Sequence, residues 1–143
     1  MAEASPPPAP DPENAAAKGP EKHIIWQGSH KVTPKPGDEV HIHYVGTLEN
    51  GEVFDSSRDR EIIFTTKIGV GRVIKAWDML VPTMNLGEVA KLTCPPSFAY
   101  GAGGFPGLIP PYSILIFVVE LLGINDERVK SEWTAAGRPG LAK

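Results

Sequence analysis

The sequence predicts an α+β domain: a small antiparallel sheet of roughly five strands with one short helix on its inner face. Strand-type segments rich in Val, Ile and Tyr recur between turns marked by Gly and Pro. Only one stretch, RVIKAWDMLVPTM (72–84), repeats its apolar residues at helical spacing. No internal repeat divides the chain.

HIIWQG (23–28) reads as a short first strand, and KPGDEV (35–40) as a turn into EVHIHYVGTL (39–48). In that strand Val40, Ile42 and Tyr44 share one face, while His41 and His43 share the other. Asn50-Gly51 predicts a two-residue hairpin turn, after which a partner strand starts at Val53-Phe54. EIIFTTKIG (61–69), EVAKLTC (88–94) and SILIFVVELLGI (113–124) supply the remaining β material. The last of these is apolar in both phases, so its second face should be covered. In the helix, Ile74, Trp77 and Val81 form one stripe at i, i+3 and i+7. Pro82 limits it to about two turns.

The flanks are different. Residues 1–22 hold many Pro and Ala and no large apolar side chain between Met1 and His23, so disorder is expected there. Residues 125–143, NDERVKSEWTAAGRPGLAK, mix charges around a lone Trp133 and read as a tail or linker. The folded domain is therefore placed at 23–124.

At 143 residues the chain is long enough for one real core. Lys and Arg total 14 and Asp and Glu 17, a net charge of −3, so neither nucleic acid nor a membrane surface is indicated as partner. No basic start followed by an apolar core marks a secretory leader. Residues 108–124 are the best candidate span, but Pro110, Pro111 and Glu120 interrupt them. The lone Cys94 can form no internal disulfide, which points to a reduced compartment. In KLTCPP it reads as a small buried apolar residue, not a nucleophile. A cytoplasmic monomer is expected.

Conventional catalytic chemistry finds little support. His41 and His43 stand two apart on a strand, but no Cys or acidic residue completes a ligand set at a recognisable spacing, and no metal is expected. GVGRVI (69–74) lacks the third Gly and the Lys-Ser/Thr of a phosphate loop. Asp55, Ser56 and Ser57 in FDSSRDR (54–60) read as a polar turn with Asp as an Asx-type cap. What remains is a set of aromatics on different elements, among them Trp77 and Tyr100, each with a polar tip that needs a partner when buried. Tyr100 opens AYGAGGFPGLIPPYS (99–113), a loop that also carries Phe105, Leu108, Ile109 and Tyr112. A loop that only reverses the chain is short and polar.

VHIHYVGTLENGEVFDSSRDR (40–60), GRVIKAWD (71–78), AYGAGGFPGLIPP (99–111) and FVVEL (117–121) follow one another as in the FKBP-type peptidyl-prolyl isomerases, the macrolide-binding immunophilins. The resemblance covers roughly residues 23–124, and together the four stretches are highly specific. It implies an antiparallel half-barrel wrapped around one short helix. Trp77 would floor a pocket for a proline ring, with Tyr44, Phe54, Phe64, Val73, Ile74 and Phe117 as walls. Tyr100 and the Ile74 N–H would donate to ligand carbonyls, with Phe105 and Ile109 at the rim. Asp55 would sit at the edge, held by Tyr44 and Arg60. The catalytic set implied is Tyr44, Phe54, Asp55, Trp77 and Tyr100.

The ligands implied are proline-containing peptides and the macrolides tacrolimus and rapamycin, and no cofactor is called for. The long loop would then be a lid over an apolar ligand. Thr66 stands where the family often has a second aromatic, Ile63 where Pro is usual, and Leu80 and Pro82 where Gly and Ala are typical. Phe105 and Tyr112 add apolar bulk to the lid. Losing about 30 Å² of apolar contact at Thr66 is worth ~0.8 kcal/mol, far too little to abolish macrolide binding. The alternative function is a non-catalytic docking module of co-chaperone type, but Tyr44, Asp55, Trp77 and Tyr100 are all present and favour the enzyme. No helical repeat follows Asn125 that would place the chain among larger co-chaperones.

Overall fold

The structure, a computed structural model, describes residues 19–28 and 31–128. Its strands are β1 (Glu21–Trp26), β2 (Glu39–Leu48), β3 (Val53–Ser56), β4 (Phe64–Lys67), β5 (Val89–Cys94), β6 (Leu115–Ile124) and β7 (Glu127–Arg128). Two short α-helices, α1 (Ser57–Arg60) and α2 (Lys75–Leu80), join them. The sheet runs β1-β5-β6-β2-β3, with β4 also on β2 and β7 on β6, and every pairing is antiparallel. This is the expected α+β half-barrel.

The sheet has seven strands where roughly five were expected: β3 and β4 share one place along β2, and the two-residue β7 is added on β6. β3 pairs Val45–Thr47 of β2 and β4 pairs Glu39–Ile42. Between them the chain leaves the sheet to form α1. That helix is absent from the sequence reading, and its cap is Ser56 rather than Asp55: the Ser56 hydroxyl accepts from the Asp59 N–H at 3.1 Å. Asp55 is left free for other work.

The hairpin between β2 and β3 also differs from expectation. Leu48 N–H bonds to the Glu52 carbonyl, which makes Glu49–Gly51 a three-residue loop. Gly51, at φ 92°, supplies the left-handed residue that such loops require.

In β2, Val40 and Ile42 are fully buried and Tyr44 nearly so, as their alternation predicts. β6 needs a different account. His41 faces Gly123 and Ile42 faces Leu121, so Leu122 is the extra residue of a bulge. Leu115, Phe117, Val119 and Leu121 enter the core before it, and Leu122 and Ile124 after it. The unbroken apolar run thus records a change of phase together with cover on the second face, where Glu120 and Gly123 are buried. On the other face Ile116 and Val118 are half-buried, and Glu120 pairs with Arg58 of α1.

α2 buries Ala76 and Trp77, and Pro82 ends it in a 3-10 turn, Val81–Thr83. The strand boundaries extend the domain slightly at both ends. β1 starts at Glu21, inside the segment read as disordered, and Lys22 pairs with Glu88 at 2.8 Å. β7 and the turn before it lie inside the segment read as a tail. Trp133 lies outside the described residues. Cys94 is fully buried, and burial pushes its thiol up to about 12. Among the described residues no helix is long and apolar enough to cross a membrane.

Candidate active site

Sheet register assembles the site. Leu92 of β5 faces Phe117 of β6, Phe117 faces Gly46 of β2, and Gly46 faces Asp55 of β3, so one row crosses the sheet. Two residues along β2, Tyr44 points to the same inner face, where Trp77 of α2 meets it. The rings contact edge-on. Trp77 lies 5.1 Å from Tyr44, 5.1 Å from Phe117 and 5.9 Å from Phe64, and Phe54 lies 5.6 Å from Phe117. Edge-to-face contact places the positive ring edge on the negative face, adding about 0.5–1.5 kcal/mol per pair beyond area burial.

Above these rings an open cavity of about 250 Å³ is lined by Tyr44, Phe54, Asp55, Phe64, Val73, Ile74, Trp77, Tyr100 and Phe117, and by Arg72. Trp77, 4% exposed, forms its floor. Its indole N–H finds no acceptor among the described residues.

Asp55 is the one carboxylate on the cavity wall. Its Oδ2 accepts from the Tyr44 hydroxyl at 2.6 Å, and its Oδ1 from Arg60. Arg60 also donates to the Tyr44 oxygen at 3.2 Å. Burial alone would raise the Asp55 carboxyl. The hydrogen bonds from Tyr44 and Arg60, with the Arg60 charge, outweigh it and hold the group below its ordinary value. Tyr44 is pushed up by burial and by its bond to Asp55, Tyr100 by burial and the Asp55 charge. Neither tyrosine ionises near neutral pH, and Asp55 does not take up a proton there.

Ile74 is the N-cap of α2, and its carbonyl accepts from the N–H groups of Trp77 and Asp78. Its own N–H, at the cavity wall, makes no hydrogen bond to another described residue. Residues 99–113 are held by their own backbone: Phe105 and Ile109 exchange N–H···O bonds at 2.8 and 2.7 Å, and Tyr112 donates to Gly101 at 2.9 Å. Gly104, at φ 61°, passes so close to the 109–110 peptide that a Cβ there would lie 2.3 Å from the Ile109 carbonyl oxygen.

Three residues expected at the pocket do not line it. Arg60 stands behind Asp55 and Tyr44, its guanidinium carbon 6.0 Å from the Tyr44 ring centroid. Phe105 packs edge-on against Tyr100 at 5.9 Å. Ile109 is a correction: only 4% exposed, it belongs to the core beneath the loop and not to a rim. Thr66 does not reach the cavity, whose wall on β4 is Phe64. His41 bonds Thr65 and the Asn125 carbonyl, and His43 bonds Ser57. Gly69 and Gly71 donate to Asp78, which occupies the N–H groups a phosphate would need.

Two positions at the cavity are absent from the sequence reading. Arg72 lies within the rejected phosphate-loop stretch. Gly46 sits in a strand, where a glycine signals close approach: a Cβ there would lie 2.7 Å from Phe117 Cε1 and 2.8 Å from Phe54 Cζ. That absence of a side chain lets the two rings meet.

The profile of the FKBP-type peptidyl-prolyl cis-trans isomerases matches residues 30–122. The chain belongs to this family. A peptidyl-prolyl cis-trans isomerase of Schizosaccharomyces pombe is 56% identical over 110 residues, covering 77% of this chain and 98% of its own. FK506-binding protein 1A of Emericella nidulans is 59% identical over 107 residues, covering 75% and 99%. The crystal structure of AtFKBP13 superposes with a TM-score of 0.70 at 39% identity, covering 74% of this chain and 93% of its own. The FKBP resemblance read from the four sequence stretches is thereby borne out.

Proposed function

We propose that this FKBP chain accelerates cis-trans isomerisation of X–Pro peptide bonds and binds macrolides such as tacrolimus and rapamycin in the same cavity. The observation that carries the reading is an open aromatic cavity floored by Trp77, whose single carboxylate is already neutralised by Arg60. Such a site is dry and apolar at its base and carries donors at its edge.

Rotation about X–Pro has a barrier of about 20 kcal/mol because it breaks amide resonance. The twisted imide loses its C–N conjugation and part of its dipole, so an aromatic cavity suits it better than it suits the planar form. Favouring the transition state over the ground state is what raises kcat. Lowering the barrier by ~5 kcal/mol gives between 10³- and 10⁴-fold, without nucleophile or proton transfer.

In this mechanism Trp77, Tyr44, Phe54 and Phe117 hold the proline ring. The Tyr100 hydroxyl and the Ile74 N–H donate to carbonyls of the peptide or macrolide. Asp55 stays ionised, fixed by Tyr44 and Arg60, and acts through its field rather than as a base. No step calls for a cofactor. The exposed Phe105, Leu108 and Tyr112 lie on the loop proposed as lid. The buried thiol of Cys94 is consistent with a cytoplasmic protein, and we expect a monomer. NMR exchange measured on a Leu-Pro peptide tests the activity: faster cis-trans exchange supports it, and an unchanged rate defeats it.

A further inference from the structure

Arg72 is the one cavity-lining residue outside the set that the family resemblance implies, and it makes no ion pair among the described residues. It follows Gly69 and Gly71, whose backbones take φ of 81° and 84°. Both glycines donate N–H to the same side chain: Gly69 to Asp78 Oδ1 at 2.7 Å and Gly71 to Asp78 Oδ2 at 2.8 Å. Asp78 thus fixes the loop that enters α2, and both of its carboxylate oxygens already accept from that loop. The carboxylate on the cavity wall, Asp55, is bonded by Tyr44 and Arg60. The ion pairs among the described residues join Lys22 to Glu88, His41 to Glu39, Arg58 to Glu120 and Arg60 to Asp55, and none includes Arg72. Asp55 is engaged by Arg60 and Asp78 by the loop N–H groups, so Arg72 presents at the mouth of the cavity a guanidinium that no carboxylate among the described residues pairs.

We propose that Arg72 is a specificity-determining residue that favours prolyl peptides carrying a Glu or Asp side chain beside the proline. The proposal rests on the isomerase reading above. The chemistry is that of a guanidinium meeting a carboxylate where the ligand's own apolar bulk displaces water, which strengthens the pair relative to bulk solvent. Opposite charge favours the acidic peptide, and like charge disfavours a Lys peptide.

The experiment compares kcat/KM for Ala-Glu-Pro-Phe, Ala-Gln-Pro-Phe and Ala-Lys-Pro-Phe, and for the set with the charge placed after the proline. Each rate is divided by the same variant's rate on the Gln peptide, so that losses in folding or general activity cancel. At low salt the wild-type chain is expected to prefer Glu over Lys by about three- to tenfold in one of the two sets, shrinking as salt screens the pair. Arg72→Lys should keep the preference, Arg72→Gln should bring it close to one, and Arg72→Glu should reverse it. Equal wild-type rates on the Glu and Lys peptides in both sets overturn the proposal, as does a preference that Arg72→Gln leaves intact. Acceleration of a Leu-Pro peptide without charge preference sinks the Arg72 assignment alone. No acceleration of any peptide sinks the isomerase reading and this proposal with it.

Discussion

The Tyr44 hydroxyl donates to Asp55 Oδ2 at 2.6 Å, tying β2 to β3 across the edge of the cavity. Burial raises the Asp55 carboxyl, and this bond, together with the hydrogen bond and charge of Arg60, holds it below its ordinary value. Tyr44→Phe keeps the ring that packs on Trp77 and removes only this bond. The Asp55 carboxyl should then titrate higher, a shift readable by carboxyl-carbon NMR. The stability loss should be about 1 kcal/mol, toward the low end for a charged acceptor because Asp55 is partly exposed. A titration identical to wild type would show that Arg60 alone holds the carboxylate.

The same groups define the pH dependence. Asp55 is held below its ordinary 3.8, and Tyr44 and Tyr100 are held above their ordinary 10.0. Between about pH 5 and pH 9 none of the three changes charge, and kcat/KM on a neutral Leu-Pro peptide should vary by less than about twofold. The stability that Asp55 contributes is complete above its unfolded value and disappears as pH falls through its lower folded value. The Asp55 contribution should therefore be lost only below about pH 4. A bell-shaped rate profile centred near neutrality contradicts an isomerase without proton transfer.

Much of this was legible in the sequence because the controlling signals are local. Val40, Ile42 and Tyr44 alternate, and Ile74, Trp77 and Val81 mark a helix stripe, so strand and helix faces follow from spacing. The bulge at Leu122 was not legible: in a run where every residue is apolar, a change of phase leaves no mark. Ser56 and Asp55 are neighbours with similar capping propensity, and only the path of the chain out of β3 decides between them. Gly46 matters because Phe54 and Phe117 converge on it, and Phe117 is remote in sequence. Arg72 was hidden for a different reason. Its flanking glycines mark a turn, and nothing in GVGRVI tells an arginine that faces the cavity from one that faces only solvent. Ile109 was misplaced because apolar residues on a loop look alike whether they face solvent or the core.

Gly46→Ala should test the convergence of rings directly. Its new methyl would sit 2.7 Å from Phe117 Cε1 and 2.8 Å from Phe54 Cζ. Both rings must move, at a cost of about 1–3 kcal/mol for overpacking. Thermal melting should show the loss, and kcat/KM on a Leu-Pro peptide should fall roughly tenfold or more as the proline walls shift. Wild-type melting and rate together would mean that the rings yield freely.

Cys94 offers a probe of unfolding. Buried, with its thiol pushed up to about 12, it should resist a thiol reagent in the folded chain at pH 8. Labelling should rise with denaturant in step with the loss of tryptophan fluorescence structure. Rapid labelling under native conditions would reveal local opening of β5.

Trp77→Leu and Phe105→Ala separate an isomerase from a docking module. The Trp77 indole N–H has no acceptor among the described residues, so Trp77→Leu forfeits packing and no observed hydrogen bond. Its cost should stay below the ~3–5 kcal/mol of truncating a buried Trp to Ala. It removes the cavity floor, so kcat/KM should fall by about tenfold or more on every prolyl peptide. Phe105 is 49% exposed and touches the cavity only through Tyr100. Phe105→Ala should therefore change the rate on short peptides less than about threefold, while weakening ligands large enough to contact the loop. If Trp77→Leu retained the full rate and Phe105→Ala abolished binding of every ligand, the loop surface and not the cavity would be the functional element.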